Sequence, residues 1–301
     1  MKAEGYRRFI SIVKATALEV LSEPLSLLIL LAALTLTVLA PAFHYHQFGE
    51  ATRMARDAGF SSLLIGGGVL AAFGTIRAFR REIESGTLEM ALAHPIGRPG
   101  FFLAKTAGAF LAYAVFAAVV FLTSVVIVEG ASIGGLLAKK SGDIARLWGP
   151  SLAAGLGVIV LPLVAAAALN RFGRFRFVLT SFVLAVALSV AFAVAALILH
   201  DVRLALRMVG VAVPIVVLTA VVLTASAAFA IRWKANAAAS AVGVLCLLLL
   251  PVLGNYYLSD ALSNGGCVSW PYVGLSTLAA VPAVVLFALA GIRFINGRDV
   301  S

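Results

Sequence analysis

Along the chain, long stretches without a charged side chain alternate with short segments that hold the charges. Eight apolar stretches stand out, at residues 25–43, 60–76, 106–128, 150–170, 177–199, 208–231, 237–258 and 272–292. Each is continuous rather than two-periodic, which argues against the strands of a membrane barrel. About 20 apolar residues in a helix cross a hydrocarbon core of ~30 Å. The pattern predicts an all-α polytopic transmembrane helical bundle of about eight spans, with six as the alternative, in one membrane domain over residues 1–301. The second stretch is the shortest, and Gly66, Gly67, Gly68 and Gly74 within it point to close helix packing or local backbone opening.

Residues 5–23 carry a different period. Tyr6, Phe9, Ile10, Val13, Ala17, Val20 and Leu21 recur at helical spacing, while Arg7, Ser11, Lys14 and Ser22 fall on the other side. This is the pattern of an amphipathic elbow helix lying in the membrane interface, ended by Glu23-Pro24. A secretory signal is not expected, because the segment before the first apolar stretch is too long for one.

Composition narrows the class. Hydrophobic residues make up 62% of the 301 and charged residues 12%, against about 25% charged in a soluble domain. That excludes a soluble globular enzyme, and the mean hydropathy of +1.07 excludes disorder. Two cysteines, Cys246 in an apolar stretch and Cys267 in a loop, give no disulfide framework. The net charge of +10 comes from 23 basic residues scattered between apolar stretches, a distribution that sets membrane topology and not one that reads nucleic acid. With the N-terminus inside, most of these residues fall on the cytoplasmic side, Arg77, Arg80, Arg81, Arg98, Lys105, Arg171, Arg232 and Arg293 among them. Both termini are therefore expected to face the cytoplasm.

Candidate chemistry is sparse. No apolar stretch holds Asp, Glu, Lys or Arg near its middle, which argues against a proton-coupled carrier. Gly100 to Lys105-Thr106 only approaches a phosphate loop, because Pro99 and Ala104 stand where glycines are needed. His44-Tyr45-His46 lacks accompanying ligands at metal spacing, so no metal or cofactor is expected in this chain.

The informative segment runs from Arg80 to Lys105, between the second and third stretches. Ser85-Gly86-Thr87 can cap a short helix parallel to the membrane, Glu89 favours its dipole, and Pro95 stops it. Leu88 and Leu92 give that helix an apolar edge suited to a groove on a partner. Here the chain resembles the membrane subunits of ABC-2 type transporters. The matching positions are Glu82, Gly86-Thr87-Leu88-Glu89, Pro95, Arg98 and Lys105, to which Leu92 is added as part of the apolar edge. Phe48-Gly49-Glu50 and Ala58-Gly59-Phe60-Ser61-Ser62 resemble the branch with permeases of nitrous-oxide-reductase maturation and gliding-motility systems. The resemblance covers roughly residues 5–128, and the later half matches only in being hydrophobic.

The resemblance implies a non-enzymatic permease, most naturally an exporter, in the cytoplasmic (inner) membrane. It implies a partner ABC ATP-binding subunit that holds ATP and Mg, a second permease copy in a homodimer or heterodimer, and a coupling segment at 82–98. A non-transporting assembly or scaffold protein would share the same hydropathy, and an ion-coupled carrier is the more distant alternative. The topology is directly testable. In a chain lacking Cys246 and Cys267, Ser141→Cys and Asn264→Cys should react with an impermeant thiol reagent from outside. Gly173→Cys and Ala235→Cys should react only once the membrane is opened. Outside labelling at position 173 without labelling at 141 would overturn the eight-span count.

Overall fold

The computed structural model describes residues 2–39, 51–85, 97–141, 145–173, 176–199, 202–253 and 270–297. These residues form nine helices: α1 Lys2–Ser22, α2 Pro24–Leu39, α3 Ala51–Glu84, α4 Arg98–Ser141, α5 Ala145–Gly173, α6 Phe177–Leu199, α7 Val202–Arg232, α8 Ala235–Leu253 and α9 Trp270–Asn296. No strand occurs among them. The chain is an all-helical, multi-pass membrane bundle. Over their described parts, the eight apolar stretches coincide one by one with α2 to α9. Six helices (α3 to α7 and α9) are individually long and apolar enough to cross a membrane, or seven spans if the bent pair α1–α2 counts as one. Six was the lower of the two expected numbers. The other two apolar stretches are described only in part: α2 has 16 described helical residues, and the side chains of α8 are described over Asn236–Leu245.

Two helices continue well beyond their apolar stretches. α3 has 34 residues and α4 has 44, so at 1.5 Å per residue they run about 51 Å and about 66 Å. Both exceed a ~30 Å hydrocarbon core. The stretches at 60–76 and 106–128 therefore mark where charge begins, not where the helix stops. Pro214 and Pro282 are likewise carried inside α7 and α9 without ending them.

The elbow ends where the sequence says it should, for a local reason. Pro24 has no N–H, and its ring cannot share space with the carbonyl four residues back, that of Val20. α1 and α2 consequently meet at a 65° bend. The Val20 carbonyl is satisfied instead by the buried Ser26 hydroxyl, which donates to it at 2.6 Å. On α1, Ala17, Val20 and Leu21 are buried while Arg7, Ser11 and Lys14 are exposed, as the amphipathic pattern requires. Tyr6 departs from it and lies 68% exposed.

The core forms around α3, α4 and α7, with α2 against them, and its largest fully buried side chains include Tyr113, Phe116, Leu30 and Leu34. α5, α6 and α9 expose most of their apolar surface, as peripheral helices do when lipid is the solvent. Buried hydroxyls such as those of Thr37, Thr123, Ser189 and Thr219 donate to carbonyls four residues back and leave no demand on the hydrocarbon.

The glycines of α3 serve packing. A Cβ on Gly67 would lie 2.8 Å from Tyr113 Cε2, and one on Gly74 would lie 3.0 Å from Val20 Cγ1, whereas Gly68 has nothing within 4 Å. α3 runs through all of them as continuous helix, so the backbone does not open here. Gly67→Ala should accordingly destabilise the extracted protein by about 1–3 kcal/mol through overpacking. Gly68→Ala should be neutral or slightly stabilising, because alanine is the better helix former. Thermal retention of the monodisperse species in detergent separates the two, and equal behaviour would refute the close approach of α3 to α4.

Candidate functional site

The site lies where α3 ends and α4 begins. Past its apolar stretch, α3 continues through Arg77 to Glu84, and its last turn closes with the Ser85 amide donating to the Arg81 carbonyl at 3.0 Å. α4 opens with the Phe101 amide on the Gly97 carbonyl at 3.1 Å and carries Lys105 in its second turn. The two helices face each other here, and Lys105 Nζ stands 2.5 Å from Glu82 Oε1. The lysine side chain is fully buried, while that of Glu82 keeps 29% of its exposure. The ammonium also lies 5.7 Å from the Phe79 ring centre and 5.9 Å from that of Phe101. Both distances are within cation–π range, so one helix end supplies a carboxylate and an aromatic face and the other supplies the charge and a second face.

A second layer ties this junction to the elbow. Arg81 Nη1 reaches Glu19 Oε1 at 3.5 Å, and Arg77 Nη1 reaches Glu23 Oε2 at 3.7 Å. Arg77 and Arg81 lie four apart on α3, and Glu19 and Glu23 lie four apart on the last turn of α1 and the bend after it, so two short charge ladders run side by side. Arg80 adds a contact to Glu84 at 3.9 Å along α3. Arg77 and Arg81 are mostly exposed, and such exposed pairs contribute about 0–1 kcal/mol each. They set orientation more than stability. Burial pushes the Glu19 carboxyl above its usual 4.5, opposed by the positive charges of Lys105 and Arg81. Docking of the elbow therefore costs more with Glu19 ionised, and that cost falls away as pH drops toward 4.5. Below the two helices, α1 approaches α4 so closely that a Cβ on Gly108 would lie 2.6 Å from the Val13 carbonyl oxygen.

On the other flank, Arg98 Nη1 donates to the Asn296 carbonyl at the end of α9, 3.0 Å away. Of the residues singled out from sequence, the structure thus places Glu82, Arg98 and Lys105, and it pairs Glu82 with Lys105. Glu82 lies on α3, not on the loop expected there, because nothing between Arg77 and Glu84 breaks a helix. Gly86, Thr87, Leu88, Glu89, Leu92 and Pro95, with the short interfacial helix expected over them, lie outside the described residues, as do His44, His46 and Cys267. Lys105-Thr106 is helical: the lysine faces Glu82 and the threonine hydroxyl donates to the Phe102 carbonyl at 2.8 Å. No group of three or more potential metal ligands occurs among the described residues. The sequence reading missed Glu19, Glu23, Arg77 and Arg81 as partners, although each pair carries the i,i+4 spacing of a charged helix face.

A family model described as ABC-2 family transporter protein matches residues 21–175, just over half of the chain and all of this junction. The chain belongs to the ABC-2 transporter family. It is a permease subunit of an ABC transporter. No curated protein and no solved structure matches it. The matched part of this ABC-2 permease comprises α2 to α5 and the last residues of the elbow, so α6 to α9 lie beyond it.

The buried pair yields an asymmetric prediction. Glu82→Met leaves the enclosed Lys105 ammonium without its counter-charge and should destabilise the permease by about 3–5 kcal/mol. Lys105→Met leaves a charge on the less buried of the two side chains and should cost less. Replacing both with Met should recover most of the loss. Denaturation in detergent measures all three, and a double variant as unstable as Glu82→Met would show that the two residues are not energetically paired.

Proposed function

We propose that this permease is powered by a separate ATP-binding subunit and exports its substrate across the cytoplasmic membrane, with residues 82–98 as the coupling segment the ATPase moves. The observation that carries the reading is the Glu82–Lys105 pair, which closes the two ends of that segment on each other. A force on the segment is then delivered to α3 and α4 together, and through Glu19 and Glu23 to the elbow. The clustering of Arg77, Arg80, Arg81, Arg98 and Lys105 at this end supports a cytoplasmic position for it and for both termini. ATP and Mg belong to the partner, and this chain supplies the path and the transmission element without catalysing a reaction. A second permease copy, identical by default, completes the assembly. Phe48-Gly49-Glu50 and Ala58-Gly59-Phe60-Ser61-Ser62 support a place near the nitrous-oxide-reductase maturation and gliding-motility permeases.

Leu88→Asp tests the reading. A carboxylate placed in an apolar contact costs several kcal/mol, and ~2 kcal/mol already weakens binding roughly 30-fold. The variant should insert normally yet lose co-purification of the ATPase and substrate-stimulated hydrolysis, with Lys139→Ala as an unaffected control. Normal hydrolysis, co-purification and transport in Leu88→Asp would remove the coupling assignment and favour a scaffold.

A further inference from the structure

We infer that Arg98 is a positioning residue for α9, and that through it the coupling segment drives the last helix of the permease. The inference rests on the coupling reading above and extends it to a helix beyond the family match.

The last carbonyls of any helix lack partners within it, and its C-terminus carries partial negative charge. In α9 one of these carbonyls, that of Asn296, accepts the hydrogen bond from the Arg98 guanidinium. Arg98 is the first residue of α4 and the last of the coupling segment. One turn further along α4, the far end of the buried Phe102 ring comes so close to α9 that a Cβ on Gly291 would collide with it. Phe102 in turn packs on Phe79 of α3, ring centres 5.6 Å apart, beside the Lys105 ammonium. Ile295 is buried in the same apolar cluster, which forms separately from the main core and draws on α3, α4, α7, α8 and α9. Along the rest of its length α9 turns Leu275, Leu278, Leu286 and Leu289 outward, each more than 60% exposed. Its firm attachments are therefore a face toward α7, where Phe287 meets Phe229 edge-on at 5.8 Å, and this end at the foot of α4. A charged donor and an aromatic ring on two successive turns of α4, the ring set against the glycine recess of α9, make a two-point grip. Moving the foot of α4 moves the end of α9 with it.

The experiment uses the full permease with its ATPase in membranes. A Gly297→Cys reporter is introduced into a chain carrying Cys246→Ala and Cys267→Ala, and labelled with a soluble maleimide with and without ATP. We expect ATP to change the labelling rate by about threefold to fivefold, the scale on which a cation at a helix C-terminus acts. Arg98→Gln should abolish that change, and Arg98→Lys should restore it. Gly291→Ala, which loosens the grip from the α9 side with Arg98 intact, should also blunt it. An ATP-dependent change that persists in Arg98→Gln, or none in the parent chain, overturns the inference. So does loss of ATPase co-purification in Arg98→Gln, which would place the guanidinium on the partner. Leu88→Asp is run in parallel: if it uncouples normally while the α9 reporter fails, only the inference falls. If Leu88→Asp leaves coupling intact, the coupling reading falls first.

Discussion

The ammonium of Lys105 sits where no water reaches it, and the surrounding structure supplies what hydration would otherwise provide. Removing an ion from water costs several kcal/mol even after relaxation, so such a charge persists only with a close counter-charge and further favourable contacts. Glu82 is the counter-charge, and Phe79 and Phe101 present their rings from two helices. Because the partners sit on different helices, the electrostatic requirement fixes the register of α3 against α4. The elbow is placed by the same group, since the half-buried Glu19 feels the Lys105 charge as well as that of Arg81. The exposed arginine contacts follow from this arrangement and would not by themselves enforce it.

Packing divides the bundle into parts with different duties. α3, α4 and α7 bury most of their surface and hold the close approaches at Gly59 and Gly67. Where lipid removes the hydrophobic drive between helices, small residues at contacts are what let backbones come near. The second apolar cluster, drawn from α3, α4, α7, α8 and α9, is distinct from the main core. It lies under the junction that adjoins the segment matched to the family pattern.

Much of this was legible from the residues. Uncharged stretches identify the membrane helices because a backbone in hydrocarbon has to satisfy itself, and Pro24 announces the elbow's end by removing a donor. The same stretches are silent on how far a helix continues once charges begin, and so Glu82 looked like a loop residue. Glu19 with Glu23, and Arg77 with Arg81, each read as a charged face, but which face meets which is decided by packing across more than 50 positions. Glu82 and Lys105 were singled out separately, by resemblance, without any sign that they touch. Least legible is the contact of Arg98 with Asn296, separated by 198 positions. Its acceptor is a main-chain carbonyl, which leaves no mark in the side-chain sequence.

The length of α4 has a mechanical consequence. A single unbroken helix begins at Arg98 beside the coupling segment and ends at Ser141, far past the apolar stretch that fills the hydrocarbon. A rod of about 66 Å needs no joint to carry motion from one membrane face to the other, and a tilt of about 5° about its packed middle displaces the far tip, about 40 Å away, by about 3.5 Å. α4 is in this sense a lever whose fulcrum is the packed middle around Tyr113 and Phe116, with a short arm at the Lys105 end and a longer one reaching out on the opposite side.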